Sequence, residues 1–216
     1  MDRRHFLMAA GVVAAGWAVP GTGLAGPAST LPAPALPGAK TLEEALRLRQ
    51  TRRDIDSRPV PDDVLSGLLW AAGGVNRPEA GKRTAPTAQN RQEIDIYVAK
   101  ADGLYLYAPK DHALMQLSGA DIRAATGKQA LAGTVPVNLV YVADMGKVAG
   151  STAEEKLFYA GADTGFVSQN VYLYCAAMGL ATVVRASIDT AALAKAMGLA
   201  EGKRVTLAQS LGYPKA

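Results

Sequence analysis

The chain is poor in side chains that do chemistry unaided. Of its 216 residues one is cysteine, Cys175, and two are histidine, His5 and His112. A single thiol cannot close an internal disulfide, and so few soft ligands cannot build a zinc or iron–sulfur site. Cys175 stands in the apolar run Val171-Tyr172-Leu173-Tyr174-Cys175-Ala176-Ala177, which reads as core, so a Cys-His hydrolase pair has little support. Strong charge of one sign is also missing. The net charge is +4, which calls for neither nucleic acid nor a membrane surface as partner. The apolar run from Leu7 to Val19 is too short to span a bilayer comfortably. No acid–base pair stands out, so redox chemistry on this chain needs a bound cofactor to carry it.

What is present suffices for one substantial core and one domain, with 49% hydrophobic residues. Asp2-Arg3-Arg4-His5-Phe6-Leu7 precedes the apolar run, and Gly23-Leu24-Ala25 offers a small-residue cleavage site. The Arg-Arg pair followed by Phe-Leu resembles a twin-arginine export signal, which implies a periplasmic or otherwise exported protein. Twin-arginine signals are associated with proteins exported already folded, often with a cofactor in place. The expected division is a signal peptide over 1–25, a flexible or polyproline-like tether over 26–40, and one domain over 41–216, with no stable membrane insertion after cleavage.

Within the domain, Thr41-Leu42-Glu43-Glu44 and Thr152-Ala153-Glu154-Glu155 have capping-box spacing and open helices. The second helix is the longest, reaching toward Met178 before Gly179. Gly161 and Gly165 inside it cost roughly 1 kcal/mol each relative to alanine, which points to close approach by another helix or a ligand. A helix is expected over about 62–72, and another over 190–197. Ile94, Ile96 and Val98 alternate as a strand, Asp102-Gly103 is a turn, and Leu104 to Tyr107 returns. Short helical pieces are expected around 111–117 and 121–126. Val135 to Ala143 is a nearly continuous apolar strand, hence central. Strands near 182–184 and 205–211 complete an α+β pattern, a mainly antiparallel or mixed sheet flanked by helices.

Two polar stretches are the candidate site. Arg49-Gln50-Thr51-Arg52-Arg53 places cations and a hydroxyl where a helix gives way to irregular chain. Pro86-Thr87-Ala88-Gln89-Asn90-Arg91-Gln92 ends a long Gly-, Pro- and Thr-rich segment that leads into a strand. Together they can clamp a phosphorylated, planar cofactor from its charged end to its ring. Taken singly, the arginines also suit a solvated helix end, and Thr87 and Asn90 suit a turn. His112 reads as a surface or capping residue, and no tyrosine is singled out as a proton donor.

In order and spacing these stretches resemble the nitroreductase-like flavoprotein family, nearest the branch of dehydrogenases that oxidise peptide azolines, called SagB-type. Arg49 to Arg53 resembles its Arg-x-Ser-x-Arg motif, and Pro86 to Gln92 its Pro-Ser-x-x-Asn-x-Gln loop. Asp163 to Leu173 with Met178-Gly179-Leu180 resembles its long helix, and Gly212-Tyr213-Pro214 its closing strand. The resemblance implies an intertwined homodimer holding FMN at the interface, acting as an oxidoreductase between an electron donor and a small organic substrate. Arg49 and Thr51 would hold the phosphate and ribityl end, the planar arginine fork suiting phosphate. Arg53 would lie nearer the ring or ribityl. Pro86, Thr87, Asn90 and Gln92 would line the cofactor, some reaching the flavin of the other subunit. Val184, Arg185, Ala186 and Ser187 would turn backbone amides toward the flavin N5 and O4. The chain departs from the family in ending Pro214-Lys215-Ala216 where many relatives have Lys-x-Arg, and in having Arg185-Ala186-Ser187 for the usual Glu-Gly or Gly-Gly. The alternatives are another enzyme class on the same scaffold, and a non-catalytic dimeric binding module that has lost tight FMN binding.

Overall fold

Periods of two and of 3.6 alternate along the chain, and each produces its element. The computed structural model describes residues 28–35, 38 and 40–215. Its elements run β1 (Ser29–Thr30), α1 (Leu42–Leu48), α2 (Asp62–Gly73), β2 (Val75–Arg77), β3 (Lys82–Arg83), β4 (Ile94–Lys100), β5 (Gly103–Ala108) and β6 (Ala113–Ser118), then α3 (Leu131–Thr134), β7 (Val137–Asp144), α4 (Ala153–Met178), β8 (Ala181–Arg185), α5 (Thr190–Met197) and β9 (Lys203–Gly212). The expected signal peptide lies outside the described residues.

Both capping boxes form. Thr41 Oγ1 accepts from Glu44 N at 3.2 Å while Glu44 Oε2 accepts from Thr41 N at 2.8 Å, and Thr152 and Glu155 repeat the exchange at α4. Each box satisfies amide donors that a helix start otherwise leaves orphaned. Gly179 ends α4 in the left-handed region at φ +71°, where a side chain would be strained.

Seven strands form one sheet in the order β1-β6-β5-β4-β7-β9-β8, with every neighbouring pair antiparallel. β2 and β3 pair separately. β7 lies between β4 and β9 and is covered on both faces, which is why its sequence is apolar without alternation. Leu139, Tyr141 and Ala143 face the layer containing α2 and α4, together with Ile94, Ile96, Val98, Leu65, Leu69 and Val171. Val140 and Val142 face the layer of α5, with Tyr97, Leu193 and Met197. The α+β expectation holds, with the sheet wholly antiparallel.

Some expectations are corrected. The stretch 111–117, expected as a short helical piece, instead turns and enters strand β6 on β5. The run Ala-Leu-Met-Gln-Leu has no decisive period, and the turn before it settles the outcome. His112 there adopts φ +47°, reversing the chain. The expectation of a surface or capping role for His112 is corrected too. Its Nε2 bonds Ser66 Oγ at 2.7 Å and its Nδ1 bonds the Tyr107 hydroxyl at 2.9 Å. Ser66 Oγ donates to Pro32 O at 2.6 Å, so it accepts from Nε2–H, and Nδ1 accepts from Tyr107. Burial holds the imidazole below its usual pKa, in keeping with that neutral tautomer. The same contacts pin part of the segment expected as a tether. Residues 29–30 pair with β6, and Leu31 is buried in the core.

Gly161 and Gly165 meet nothing that a Cβ would touch within 4 Å. No close approach within the described chain accounts for them. They lie on a face of α4 that also exposes Phe158 (71%) and Phe166 (48%), while Leu42 (65%) and Leu46 (55%) are exposed on α1.

Candidate functional site

The first arginine motif begins where α1 stops. Arg49 is its C-cap, with Arg49 N still bonded to Ala45 O at 2.8 Å. The chain then runs along the sheet edge, Arg52 N donating to Thr182 O of β8 at 2.9 Å and Asp56 N to Tyr213 O at 2.8 Å. Lys215 N donates to Asp54 O at 2.9 Å, which sets the C-terminal segment beside the motif. The four cations differ in what they meet. Arg47 is paired with Glu43 at 2.6 Å, and Arg52 with Asp54. Arg49 and Arg53 have no carboxylate partner among the described residues. These two, and not their neighbours, remain open to an anion.

One hydroxyl joins the motif to the end of β8. Tyr172 of α4 is buried; its OH bonds Thr51 Oγ1 at 2.9 Å and accepts from Val184 N at 3.0 Å. The Arg49 guanidinium carbon sits 5.4 Å from the centre of the Tyr172 ring, within cation–π range. β8 is an edge strand, so alternate backbone groups face away from β9. Thr182 O and Val184 N both do so, as their partners show. The same alternation turns Ala186 N outward. Ala186 N has no acceptor among the described residues, and Ala186 and Ser187 are exposed. Arg49, Thr51 and the 184–187 segment are thereby brought together, with Arg53 two residues beyond Thr51.

The Arg185 side chain turns inward instead. It is buried, donating to Thr126 O at 2.9 Å and to Asn138 Oδ1 at 2.8 Å. Its Nε has no partner, and burial lowers its pKa. The backbone on either side of Arg185, at Val184 and Ala186, faces the site, with Val184 N taken by Tyr172.

The second motif is strained. Gln89, Asn90 and Gln92 have φ of 55°, 55° and 52°, left-handed values that cost non-glycine residues on the order of 1 kcal/mol each. Local bonds hold the shape. Gln92 N donates to Thr87 Oγ1 at 2.9 Å, Asn90 N to Thr87 O at 3.0 Å, and Gln92 Nε2 to Gly81 O at 2.8 Å. Thr87 and Gln92 therefore brace the loop, while Pro86 and Asn90 stand exposed at its surface. Asp163 Oδ2 of α4 accepts from Ala88 N at 2.9 Å. Asp163 and Tyr172 are nine residues apart on one helix, about 13 Å along its axis. One chain does not bring the two motifs into contact.

Tyr172, Asp163 and Glu93 were missed from the sequence. The signal for Asp163 was its register, on the same inward stripe as Ala160, Val167 and Val171. Glu93 gave none, because it continues the polar alternation of Asp95 as a surface residue would. An open cavity of about 400 Å³ lies between α1, α2 and α4, lined by residues that include Lys40, Trp70, Asn76 and Asn170 and by none of the expected cofactor residues.

The fold and this arrangement define an α+β protein whose helix-capped antiparallel sheet carries unpaired cations at one edge. The Nitroreductase family profile matches residues 46–213. A nitroreductase homologue of Methanocaldococcus jannaschii is 31% identical over 152 residues, which is 66% of this chain and 76% of that protein. A nitroreductase homologue of Ralstonia eutropha JMP134, solved by crystallography, superposes with a TM-score of 0.83 at 39% identity, over 88% of this chain and 90% of that one. A chain of the E. coli microcin synthetase McbBCD complex with truncated pro-MccB17 bound has a TM-score of 0.67 at 18% identity, over 80% and 73%, a likeness of fold alone. The chain belongs to the nitroreductase family, a family of oxidoreductases whose members generally bind FMN.

Proposed function

We propose that the protein is an exported FMN-dependent oxidoreductase that moves hydride or electrons from a donor to a small organic acceptor. The observation that carries this reading is the hub on Tyr172. It ties an arginine without a carboxylate to a strand end with an outward amide, two features that fit the two ends of FMN. Arg49 and Arg53 would take the phosphate and the adjoining polar edge, with Lys215 near them in place of the family's closing cations. In the Val184 to Ser187 segment the outward Ala186 N–H would offer a backbone donor to the ring, Val184 N being held by Tyr172, and a bound flavin would supply the hydride chemistry. Such a donor would stabilise charge that develops during transfer. The exposed Pro86 and Asn90, with the loop that Thr87 and Gln92 brace, would complete the site from a second subunit.

A homodimer is part of the proposal. Leu42, Leu46, Phe158 and Phe166 form apolar surface that water does not favour, and the glycines beside the phenylalanines leave room for a close-packed helix. Among the described residues no helix is long and apolar enough to cross a membrane. Export rests on the resemblance of residues 2–7 to a twin-arginine signal. Outside the cytoplasm free NAD(P)H is scarce, so the donor would differ from that of cytoplasmic relatives. Kinship with the azoline-oxidising branch rests on the motif resemblance and would make a heterocyclic acceptor the first to try.

Protein purified after cytoplasmic expression should be yellow, dimeric and bleached by dithionite. Colourless protein that ignores added FMN would instead support a binding module on the same fold.

A further inference from the structure

Beneath the strained loop lie two carboxyl groups that the proposed function does not use. Glu93 is 1% exposed and Asp163 is 2% exposed. Neither carboxyl oxygen of Glu93 meets an N–H or O–H donor among the described residues. The carboxyl that acts on it is that of Asp163, equally buried. Two carboxyls can hydrogen-bond only if one carries a proton, and two buried like charges in contact strongly disfavour joint ionisation. Asp163 also accepts from Ala88 N, so the pair grips the start of the loop.

The surroundings do not neutralise a second charge. Arg83 of β3 is the cation that acts on Glu93, but its Nε is buried without an acceptor, and it is shared with Asp95 of β4 and Tyr107 of β5. Asp95 has its own partner, Lys203 of β9, at 2.8 Å. Asp144 of β7, whose N donates to Glu93 O, is on the same lysine at 3.1 Å.

We propose that Glu93 and Asp163 form a one-proton latch. Glu93 donates its carboxyl hydrogen to Asp163, Asp163 holds the Ala88 amide, and loss of that proton sets two buried carboxylates against each other and loosens the hold on loop 86–92. Both are positioning residues, acting on any ligand only through the loop. Burial, reinforced by the Asp163 hydrogen bond, pushes the Glu93 carboxyl up to about 7, so the latch is closed in mild acid and opens in mild alkali. The latch stands on this chain alone. Its effect on FMN rests on the function proposed above.

The test is amide hydrogen exchange of a peptide spanning the loop in the intact protein, corrected for intrinsic pH dependence, from pH 5.5 to 9. Loop protection should fall with rising pH, by up to about tenfold per unit while the closed loop holds one proton more than the open one, and become constant once Glu93 is ionised above about 7. Glu93→Gln keeps a neutral donor to Asp163 and should abolish the step while retaining protection. Asp163→Asn can donate to an ionised Glu93 and accept from Ala88, and should also flatten the profile. Wild-type protection without a step, or a step that survives in both amide variants, would overturn the latch. The FMN dissociation constant measured across the same range should rise with the step in wild type and not in Glu93→Gln. Exchange that follows the step in a protein that never binds FMN would leave the latch standing and remove the flavin reading.

Discussion

Replacing Tyr172 by phenylalanine removes one oxygen from the point where the arginine motif, the long helix and the edge strand meet. That oxygen accepts from Val184 N at 3.0 Å and bonds Thr51 Oγ1 at 2.9 Å. Thr51 is exposed, so water can replace its lost partner at little cost. Val184 is half-buried, and an amide there without an acceptor loses about 1–3 kcal/mol. Some water reaches an edge strand, so the expected loss is about 1–2 kcal/mol, roughly a 5 °C fall in Tm for a domain of this size. The ring remains, and with it the Arg49 stacking contact. FMN should therefore still bind, but about tenfold more weakly, because the 184–187 backbone is no longer fixed relative to Thr51. Thermal denaturation and flavin-fluorescence titration of Tyr172→Phe, Thr51→Val and the double variant measure the coupling directly. A coupling of about 0.5–1.5 kcal/mol is expected in stability. Additive losses, or an unchanged Tm and FMN affinity in Tyr172→Phe, would refute the hub.

Arg49→Ala should weaken FMN retention at least about tenfold, whereas Arg47→Ala, which removes a cation already paired with Glu43, should leave it unchanged in the same gel-filtration assay. Gly127→Ala would place a methyl carbon 1.6 Å from Arg185 Nη1. Displacing that buried cation from its acceptors should cost about 3 kcal/mol or more by chemical denaturation, and Arg185→Met in the same chain should recover part of the loss. Because the Glu93 carboxyl titrates near 7 when folded, against about 4.5 ordinarily, its stabilising contribution is fully present below 4.5 and is lost as pH rises through 7. Urea unfolding should therefore show a decline of up to about 3 kcal/mol between pH 5 and 8 that Glu93→Gln removes. Cys175, buried with its thiol pushed up to about 12, should resist alkylation in the native protein and react once urea unfolds it.

Much of the fold was legible because local chemistry and tertiary outcome agree. The two capping boxes, Gly179, the alternation of Ile94, Ile96 and Val98, and the unbroken apolar run of β7 each say the same thing locally as they do in the folded chain. Where local chemistry is neutral the sequence was silent. Residues 111–117 were expected as a short helical piece, and pairing of 113–118 with β5 made them strand. Residues 29–31 looked like free tether and are held by a sheet edge far along the chain.

The candidate site divides in the same way. Charge and polarity picked out the stretches 49–53 and 86–92, since phosphate recognition needs forked cations whatever surrounds them, and the family resemblance singled out Arg49, Thr51 and Arg53 within the first. Which arginines stay unpaired was decided by neighbours on α1 and on the irregular chain. That Arg185 turns inward was decided by the pleat of β8. The roles of Tyr172, Asp163 and Glu93 arise only where α4 crosses beneath two distant segments, because a hydrogen bond or a shared proton depends on proximity in space, which residue order does not encode.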